Sequence, residues 1–384
     1  MKAKIVCSSC KSEFPITEKI WRCPNCGEYL KISYVIEDIQ LTKSMLKERT
    51  SSMWRYKELL PVFSNDIITL GEGGTPLINF EDSSFSNLKF KLDYINPTGS
   101  FKDRGASLSV TRLKAIGVSE IIEETSGNAG SALAAYSAKA GIKCTIYTPA
   151  YASVEKIVQM KIFGARVIKV KGARQNVSKE ALKAAAKVFF ASHLWDPFFI
   201  HGLKTIAYEI AEQNKWEIPD YVVVPVGSGG LLLGIYYGFK DLYDLGFVNG
   251  IPRIIGVQSE KNDPVVKSLK EKKIITFKKN VKTIAEGIAV AAPVRIRDII
   301  DAIQKTNGTA ISIEEDKIID ALIKLARRGL FVEPTSATIY VAIKKMLDMG
   351  MIDRHDTIVG VLTGSGLKAT NSLIKIAQNN NLCD

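Results

Sequence analysis

Four cysteines near the start of the chain have a spacing that suits a metal ion. Cys7 and Cys10 form one C-x2-C pair, and Cys23 and Cys26 form a second pair after a twelve-residue spacer. Each pair lies among turn-forming residues, in "CSSC" and "CPNCG", so both thiolates of a pair can face one ion. Four thiolates in a tetrahedral array favour zinc, and such a closed shell is structural because no position remains for substrate. The sequence therefore predicts a structural zinc site, with a redox pair as the alternative.

Lys102 lies in the stretch "SFKDRGAS", where a helix is predicted to start. Ser100 is a suitable N-cap residue, and Asp103 lies three residues later, at the third helical position, so the two residues are predicted to form a capping box. An ammonium group at this end of a helix is unfavourable, because the macrodipole there favours anions. A lysine that is also shielded from water at this position has its charged form disfavoured.

Three predicted strand-to-helix turns consist largely of small residues. They read "ETSGNAGS" at residues 124–131, "PVGSGGLL" at residues 225–232 and "LTGSGLKAT" at residues 362–370. Free backbone N–H groups at a helix N-terminus bind anions well, although tight packing alone also places glycine in such turns. No turn matches the P-loop pattern or G-x-G-x-x-G, which disfavours a nucleotide. A smaller ligand that carries a phosphate and a carboxylate fits these loops.

Composition limits the class of protein. The chain has 384 residues, of which 46% are hydrophobic and 24% are charged, and its formal net charge is +12. These values are typical of a globular protein with more than one domain. The basic residues are scattered among acidic ones, so an anionic small ligand explains the charge as well as nucleic acid does. No apolar run approaches about 18 residues and the start lacks the features of a signal peptide, so we expect a cytoplasmic protein that contacts no membrane.

Beyond residue 65, short β-branched runs alternate with helical stretches. For example, "KCTIYTP" precedes "SVEKIVQMKIFG", and "YVVVPV" precedes "GLLLGIYYGFKDLY". This alternation is typical of parallel sheets with crossover helices. We predict a zinc ribbon over residues 1–35, a connecting segment over residues 36–65, and an α/β body over residues 66–384. The body is expected to contain two doubly wound, mainly parallel open-sheet domains, the smaller at about residues 107–200.

Five motifs together resemble the threonine synthase family of pyridoxal-phosphate enzymes. They are "LGEGGTPL", "NPTGSFKDRGAS", "TSGN", "GSGG" and "TGSGLK", and they occur in the order of that family from residue 70 onward. The N-terminal zinc ribbon is also similar to that of several family members. The resemblance implies a tryptophan-synthase-β-like fold, a pyridoxal phosphate cofactor, and a homodimeric lyase that converts O-phosphohomoserine and water to threonine and phosphate.

The resemblance also implies roles for individual residues. Lys102 forms the Schiff base with pyridoxal phosphate, and a lysine whose charged form is disfavoured supplies the neutral amine that this requires. Phe101 lies near the cofactor ring and Asn128 binds the ring hydroxyl. Thr363 faces the pyridine nitrogen, which a neutral hydroxyl leaves unprotonated. The backbone of Gly227, Ser228, Gly229, Gly230 and Leu231 holds the cofactor phosphate, and the loop of Thr125, Ser126, Gly127 and Asn128 binds the substrate α-carboxylate.

The substrate pocket departs from the family pattern. Where threonine synthases carry a stretch like "NPxRxEGQKT", this chain reads "DPFFIHGLKT", with Phe199 in place of an arginine that binds substrate phosphate and His201 in place of the acid. We expect another cation to replace that arginine, with Lys204 as the candidate and Arg104, His193 and His201 as further possibilities. One alternative is β-elimination or β-replacement on serine, threonine or phosphoserine, which "TIAEGIAV" favours. A second alternative is a zinc-ribbon nucleic-acid-binding protein.

Overall fold

The computed structural model describes residues 3–36, 38–172 and 174–380. The strands in chain order are β1 (Ala3–Cys7), β2 (Glu13–Pro15), β3 (Leu30–Tyr34), β4 (Leu77–Asn79), β5 (Asn87–Leu92), β6 (Glu120–Glu124), β7 (Lys143–Pro149), β8 (Arg166–Val170), β9 (Phe189–Phe190), β10 (Tyr221–Pro225), β11 (Arg253–Ser259), β12 (Thr309–Ile313) and β13 (Thr357–Leu362). The α-helices are α1 (Lys43–Lys47), α2 (Lys102–Ala115), α3 (Asn128–Ala140), α4 (Val154–Ile162), α5 (Arg174–Ala184), α6 (Pro197–Gln213), α7 (Gly230–Asp244), α8 (Pro264–Glu271), α9 (Ile296–Lys305), α10 (Glu315–Ala326), α11 (Pro334–Asp348) and α12 (Thr370–Asn379).

The first three strands form a small antiparallel sheet in the order β2-β1-β3. Cys7 ends β1, and the second cysteine pair lies in the turn before β3, where Gly27 has a φ of +79° that favours glycine. This arrangement brings all four cysteine sulfurs within 4.8 Å of one another. The Sγ atoms of Cys7 and Cys26 are 3.4 Å apart, which is too long for a disulfide bond. The ribbon therefore gathers the four cysteines into one cluster, as their spacing predicts.

A six-stranded sheet forms the larger part of the body, in the order β12-β11-β10-β13-β5-β4. Its strand pairs are parallel except that β4 runs antiparallel to β5. Every residue of β10 is buried, as expected for a strand whose sheet is covered by helices on both faces. Apolar residues of α6, α7 and α9 form a core against one face, and those of α10 and α11 form a core against the other.

A four-stranded parallel sheet forms the smaller part, in the order β8-β7-β6-β9. Residues of α2 and α3 pack with β6 and β7 in its core. Two mainly parallel α/β sheets with crossover helices confirm the predicted fold class. In the ranges that the structure describes, no helix is long and apolar enough to cross a membrane.

A fully buried cluster of charges joins α2, β5 and α6. Arg104 lies 2.6 Å from Asp93 and 2.6 Å from Glu209, and its own side chain has no exposed surface. Lys91 donates to the same Glu209 carboxylate at 2.7 Å. Burial alone would raise the pKa of Glu209, but Arg104 and Lys91 outweigh burial and lower it well below its usual range. The Glu209 carboxylate is therefore ionised and depends on these two cations.

Replacing Arg104 with Met should lower the free energy of unfolding by about 3–5 kcal/mol, because the buried Asp93 would lose its cation and Glu209 would keep only Lys91. Denaturant unfolding at neutral pH measures this loss. Lys4→Ala is the matched control, since it removes an exposed ion pair with Glu13 that should contribute little. Equal, small losses in both variants would contradict a structural role for the buried cluster.

Candidate active site

The segments after β5 and β13 adjoin at the carboxyl ends of two parallel strands, where open α/β sheets bind ligands. The segment after β5 leads to Lys102, and the segment after β13 contains Thr363. The N–H of Phe101 donates to the carbonyl of Thr363 at 3.0 Å, and Ser100 forms a β-bridge with Gly364. The structure therefore places Lys102 and Thr363 on adjoining loops of the larger sheet.

Glu333 attaches the loop of the smaller sheet to this site. Asn128, the first residue of α3, donates from Nδ2 to the two Glu333 carboxylate oxygens at 3.1 and 3.2 Å. The N–H of Glu333 in turn donates to the carbonyl of Gly364 at 2.9 Å. The Oδ1 atom of Asn128 is buried and has no hydrogen-bond partner among the described residues. That acceptor fits the ring hydroxyl of pyridoxal phosphate, which is a donor.

The loop from Gly227 to Leu231 has the shape of a phosphate cradle. Gly229 is the N-cap of α7 with a φ of +84°, and a Cβ there would lie 2.1 Å from Cδ1 of Ile299. A Cβ on Gly227 would lie 2.7 Å from the carbonyl oxygen of Gly287. Only glycine fits these two positions, and the backbone N–H groups at the start of α7 suit an anion. The loop therefore fits the phosphate of pyridoxal phosphate.

Lys102 is the first residue of α2 and is partly exposed. Its Nζ lies 4.7 Å from the ring centroid of Phe101 and 5.7 Å from that of Phe199. Two aromatic rings thus shield one side of the amine from water. A partly shielded lysine beside an anion-binding loop fits the covalent attachment of pyridoxal phosphate.

The start of α2 differs from the predicted capping box. Phe101 is the N-cap and has no capping side chain. The carboxylate of Asp103 instead accepts from the N–H of Thr98 at 2.7 Å and from its hydroxyl at 2.6 Å. The hydroxyl of Ser100 is buried without a hydrogen-bond partner among the described residues. The capping-box prediction was wrong because Asp103 is turned toward the preceding loop, where burial raises its pKa to about 7.

Lys204 does not join the loops, which corrects its predicted role in binding substrate. Its Nζ donates to Asp241 at 2.7 Å and to the carbonyl of Leu59 at 2.8 Å, and its side chain has no exposed surface. It also lies 3.1 Å from the hydroxyl of Tyr34 in the ribbon. Lys204 therefore connects α6 to α7, the connecting segment and the ribbon.

The other predicted cations are also committed to structural contacts. Arg104 belongs to the buried charge cluster described above. His193 lies 2.6 Å from a carboxylate oxygen of Glu123 through Nδ1. His201 is buried between the rings of Tyr34 and Tyr237, and burial holds its pKa well below its usual range, so it is neutral. None of these three side chains supplies a free positive charge to the loops.

Two lysines that the motif analysis did not assign lie beside the site. Lys156 is 6% exposed, and its Nζ is 3.7 Å from Glu286 and 3.9 Å from Glu333. A Cβ on Gly127 would lie 3.4 Å from the same Nζ, so this ammonium group borders the "TSGN" loop. Lys368 donates to the carbonyl of Thr98 at 2.8 Å, and burial lowers its pKa to about 8. The "TGSGLK" motif contains Lys368, so the sequence offered a signal for that residue. The sequence around Lys156, "SVEKIVQ", offers no signal that this lysine lies near the "TSGN" loop.

Curated relatives of this chain are threonine synthases. The chain is 37% identical to the threonine synthase of Methanocaldococcus jannaschii, over 97% of this chain and 94% of that protein. It is 34% identical to that of Methanosarcina acetivorans, over 98% of this chain and 95% of that protein. It is 33% identical to that of Mycobacterium tuberculosis, over 83% of this chain and 89% of that protein.

Solved structures agree with the fold. The processed form of threonine deaminase isoform 2 from Solanum lycopersicum matches with a TM-score of 0.70 and 24% identity, over 80% of this chain and 83% of that chain. Maize serine racemase matches with a TM-score of 0.66 and 22% identity, over 80% of this chain and 93% of that chain. These likenesses concern the fold alone.

A family match covers most of the body. Residues 68–364 match the family described as pyridoxal-phosphate dependent enzyme. Lys102, Asn128, the glycine cradle and Thr363 all fall within that range, and their geometry fits the cofactor. The chain therefore belongs to the pyridoxal-phosphate dependent enzymes, and its curated relatives within that family are threonine synthases.

Proposed function

We propose that this enzyme is a threonine synthase that converts O-phosphohomoserine and water to threonine and phosphate. The observation that carries the proposal is that Lys102 lies on a loop joined to Thr363, and that Glu333 joins Thr363's loop to Asn128. Relatives of that name match nearly the whole chain at 34–37% identity, which supports the substrate.

Each residue of the site has a part in this reaction. Bound pyridoxal phosphate supplies an electron sink for charge that develops on the substrate. We assign to the Lys102 amine the attachment of the cofactor and the transfer of protons at Cα and Cβ of the substrate. We assign the binding of the α-carboxylate to the loop Thr125–Asn128 at the start of α3, in which the N–H of Thr125 donates to the carbonyl of Tyr147 and that of Gly127 to the Thr125 hydroxyl. Thr363 offers a neutral hydroxyl to the pyridine nitrogen.

We propose that Lys156 provides positive charge for the substrate's anionic groups, in place of the arginine that this chain lacks. Its ion pairs with Glu286 and Glu333 are longer than a hydrogen bond, so the ammonium group can turn toward an incoming anion. Lys368 adds a second positive charge where it donates to the carbonyl of Thr98. Together they replace Lys204, which is held by Asp241.

We further propose that the cysteine cluster holds a structural zinc ion and that the enzyme is a cytoplasmic homodimer. The distances among the four sulfurs suit a tetrahedral ion with Zn–S bonds of about 2.3 Å. The family resemblance supports the dimer. The proposed division into a ribbon at 1–35, a connecting segment at 36–65 and a body at 66–384 follows the positions of the three sheets.

Lys102→Ala should abolish threonine formation and the visible absorbance of the bound cofactor, because no other amine replaces the covalent link. Absorbance spectra and phosphate release from O-phosphohomoserine measure both effects. Lys114→Ala, at an exposed position of the same helix, is the control and should keep both. Wild-type turnover of serine, threonine or phosphoserine in place of O-phosphohomoserine would refute the proposed substrate and leave the cofactor role intact.

Phe199→Arg should destabilise the fold without improving activity. The Phe199 side chain is 1% exposed, and a Cβ on Gly105 would lie 2.4 Å from its ring. An arginine in this space would bury a charge against the α2 backbone, at a cost of about 3 kcal/mol or more. Thermal unfolding and kcat/KM with O-phosphohomoserine test this, with Phe199→Leu as the apolar control. A gain of about tenfold in kcat/KM, equal to about 1.4 kcal/mol, would instead show that position 199 reaches the substrate phosphate.

Replacing Cys7 and Cys10 with Ser should remove about one zinc ion per chain and destabilise the ribbon, because a small module depends on its metal. Elemental analysis of the purified protein measures the metal. Cys144→Ala, in the core of the smaller sheet, is the control and should retain it. Unchanged zinc content in the double variant would exclude the cluster as the binding site.

A further inference from the structure

Arg295 lies where the ribbon, the larger sheet and the segment before α6 meet. It is 3% exposed, and its guanidinium donates to the carbonyl of Leu30 at 2.9 Å and to that of Trp195 at 2.7 Å. The ring of Tyr29, next to Leu30, lies 4.5 Å from the guanidinium carbon. A single buried side chain thus connects β3 of the ribbon to the body of the enzyme.

The same residue fixes the first turn of α9. Arg295 is the N-cap of this helix, and its carbonyl accepts the N–H of Ile299 at 3.0 Å. Asp298, in that turn, accepts from Lys31 of the ribbon at 2.6 Å. The ribbon therefore holds the start of α9 through two residues, one buried and one partly exposed.

Ile299 carries this contact to the phosphate cradle. Its side chain fills the space beside Gly229, where a Cβ would lie 2.1 Å from Cδ1 and 2.4 Å from Cγ1. Ile299 has no exposed surface, so it has little room to move without displacing its neighbours. A shift in the first turn of α9 would therefore loosen the loop of Gly227–Leu231, to which the cofactor phosphate is assigned.

We propose that Arg295 is a positioning residue through which the cysteine-held ribbon maintains the shape of the phosphate cradle. The ribbon thereby supports cofactor affinity without touching the cofactor. A preorganised cradle binds phosphate more tightly, because less ordering is needed when the ligand arrives. The inference rests on membership of the pyridoxal-phosphate family and is independent of which amino acid is the substrate.

The test compares pyridoxal phosphate with pyridoxal, which lacks the phosphate, on the full-length protein freed of cofactor. Equilibrium titration by absorbance gives both dissociation constants. Arg295→Ala should raise the dissociation constant of pyridoxal phosphate by about tenfold and that of pyridoxal by less than about twofold. The loss of the Arg295 hydrogen bonds would affect binding only through the cradle, which pyridoxal does not contact because it lacks the phosphate. Arg295→Lys should restore part of the affinity, because an ammonium group can still donate to one of the two carbonyls.

Two further variants separate this coupling from a general loss of stability. Ile299→Ala leaves the ribbon contacts intact and should produce the same phosphate-selective loss. Arg297→Ala, at an exposed position two residues before Ile299, should change neither dissociation constant. Removal of the ribbon metal with a chelator should reproduce the effect of Arg295→Ala.

Equal weakening of both ligands in Arg295→Ala would overturn the proposal, because a global loss of structure does not distinguish phosphate. Unchanged affinity for pyridoxal phosphate in Arg295→Ala would also overturn it. If only Ile299→Ala showed the phosphate-selective loss of affinity, local packing at Gly229 would explain it and the ribbon would have no part in cofactor binding.

Discussion

The buried pairing of Arg104 with Asp93 and Glu209 fixes the helix on which the active site depends. Arg104 follows Lys102 by two residues on α2, so the position of the charge cluster sets the position of the reactive amine. The cluster takes its carboxylates from the segment after β5 and from α6, which belong to the larger sheet. Because a buried charge without its partner is costly, α2 has one stable placement against these elements.

The remaining parts of the site are positioned by contacts between loops. Glu333 is central, because it bonds Asn128 from the smaller sheet and the backbone of Gly364 from the larger one. The relative placement of the two sheets therefore sets the distance between Asn128 and Thr363. The cradle is held differently, by close packing of its glycines against Gly287 and Ile299. The residues assigned to the cofactor's ring and those assigned to its phosphate are thus positioned by separate sets of contacts.

Local motifs made most of this site predictable from the sequence. The cysteine spacing, Lys102 and the glycine loops each depend on a few adjacent residues, and the structure brings the loops around one place. The alternation of strands and helices is also a local pattern, because it repeats over short stretches of sequence, and it predicted two parallel sheets. Strand order and the packing of α6 against α7 depend on contacts between distant residues, which no local pattern contains.

The errors have the same physical origin. Lys204 was a reasonable phosphate ligand by position in its motif, but Asp241 lies on the next helix, and only the packing of α6 on α7 brings them together. Asp103 had the spacing of a capping residue, yet Thr98 offered it two donors at shorter range. Conversely, Lys156 and Glu333 lacked any motif that the sequence analysis assigned. Their proximity to Asn128 and Gly127 exists only after α4 and α11 have packed against the loops.

The distribution of positive charge explains how the chain can lack the family's arginine at position 199. Phe199 packs against Gly105 and faces Lys102, so it shields the reactive amine instead of binding an anion. The cations beside the site come from α4, where Lys156 borders the "TSGN" loop, and from the segment after β13, where Lys368 contacts Thr98. Lys156 is buried and forms long ion pairs with Glu286 and Glu333, at 3.7 and 3.9 Å. In the proposed role, an anionic group of the substrate would compete with these two carboxylates for the ammonium group.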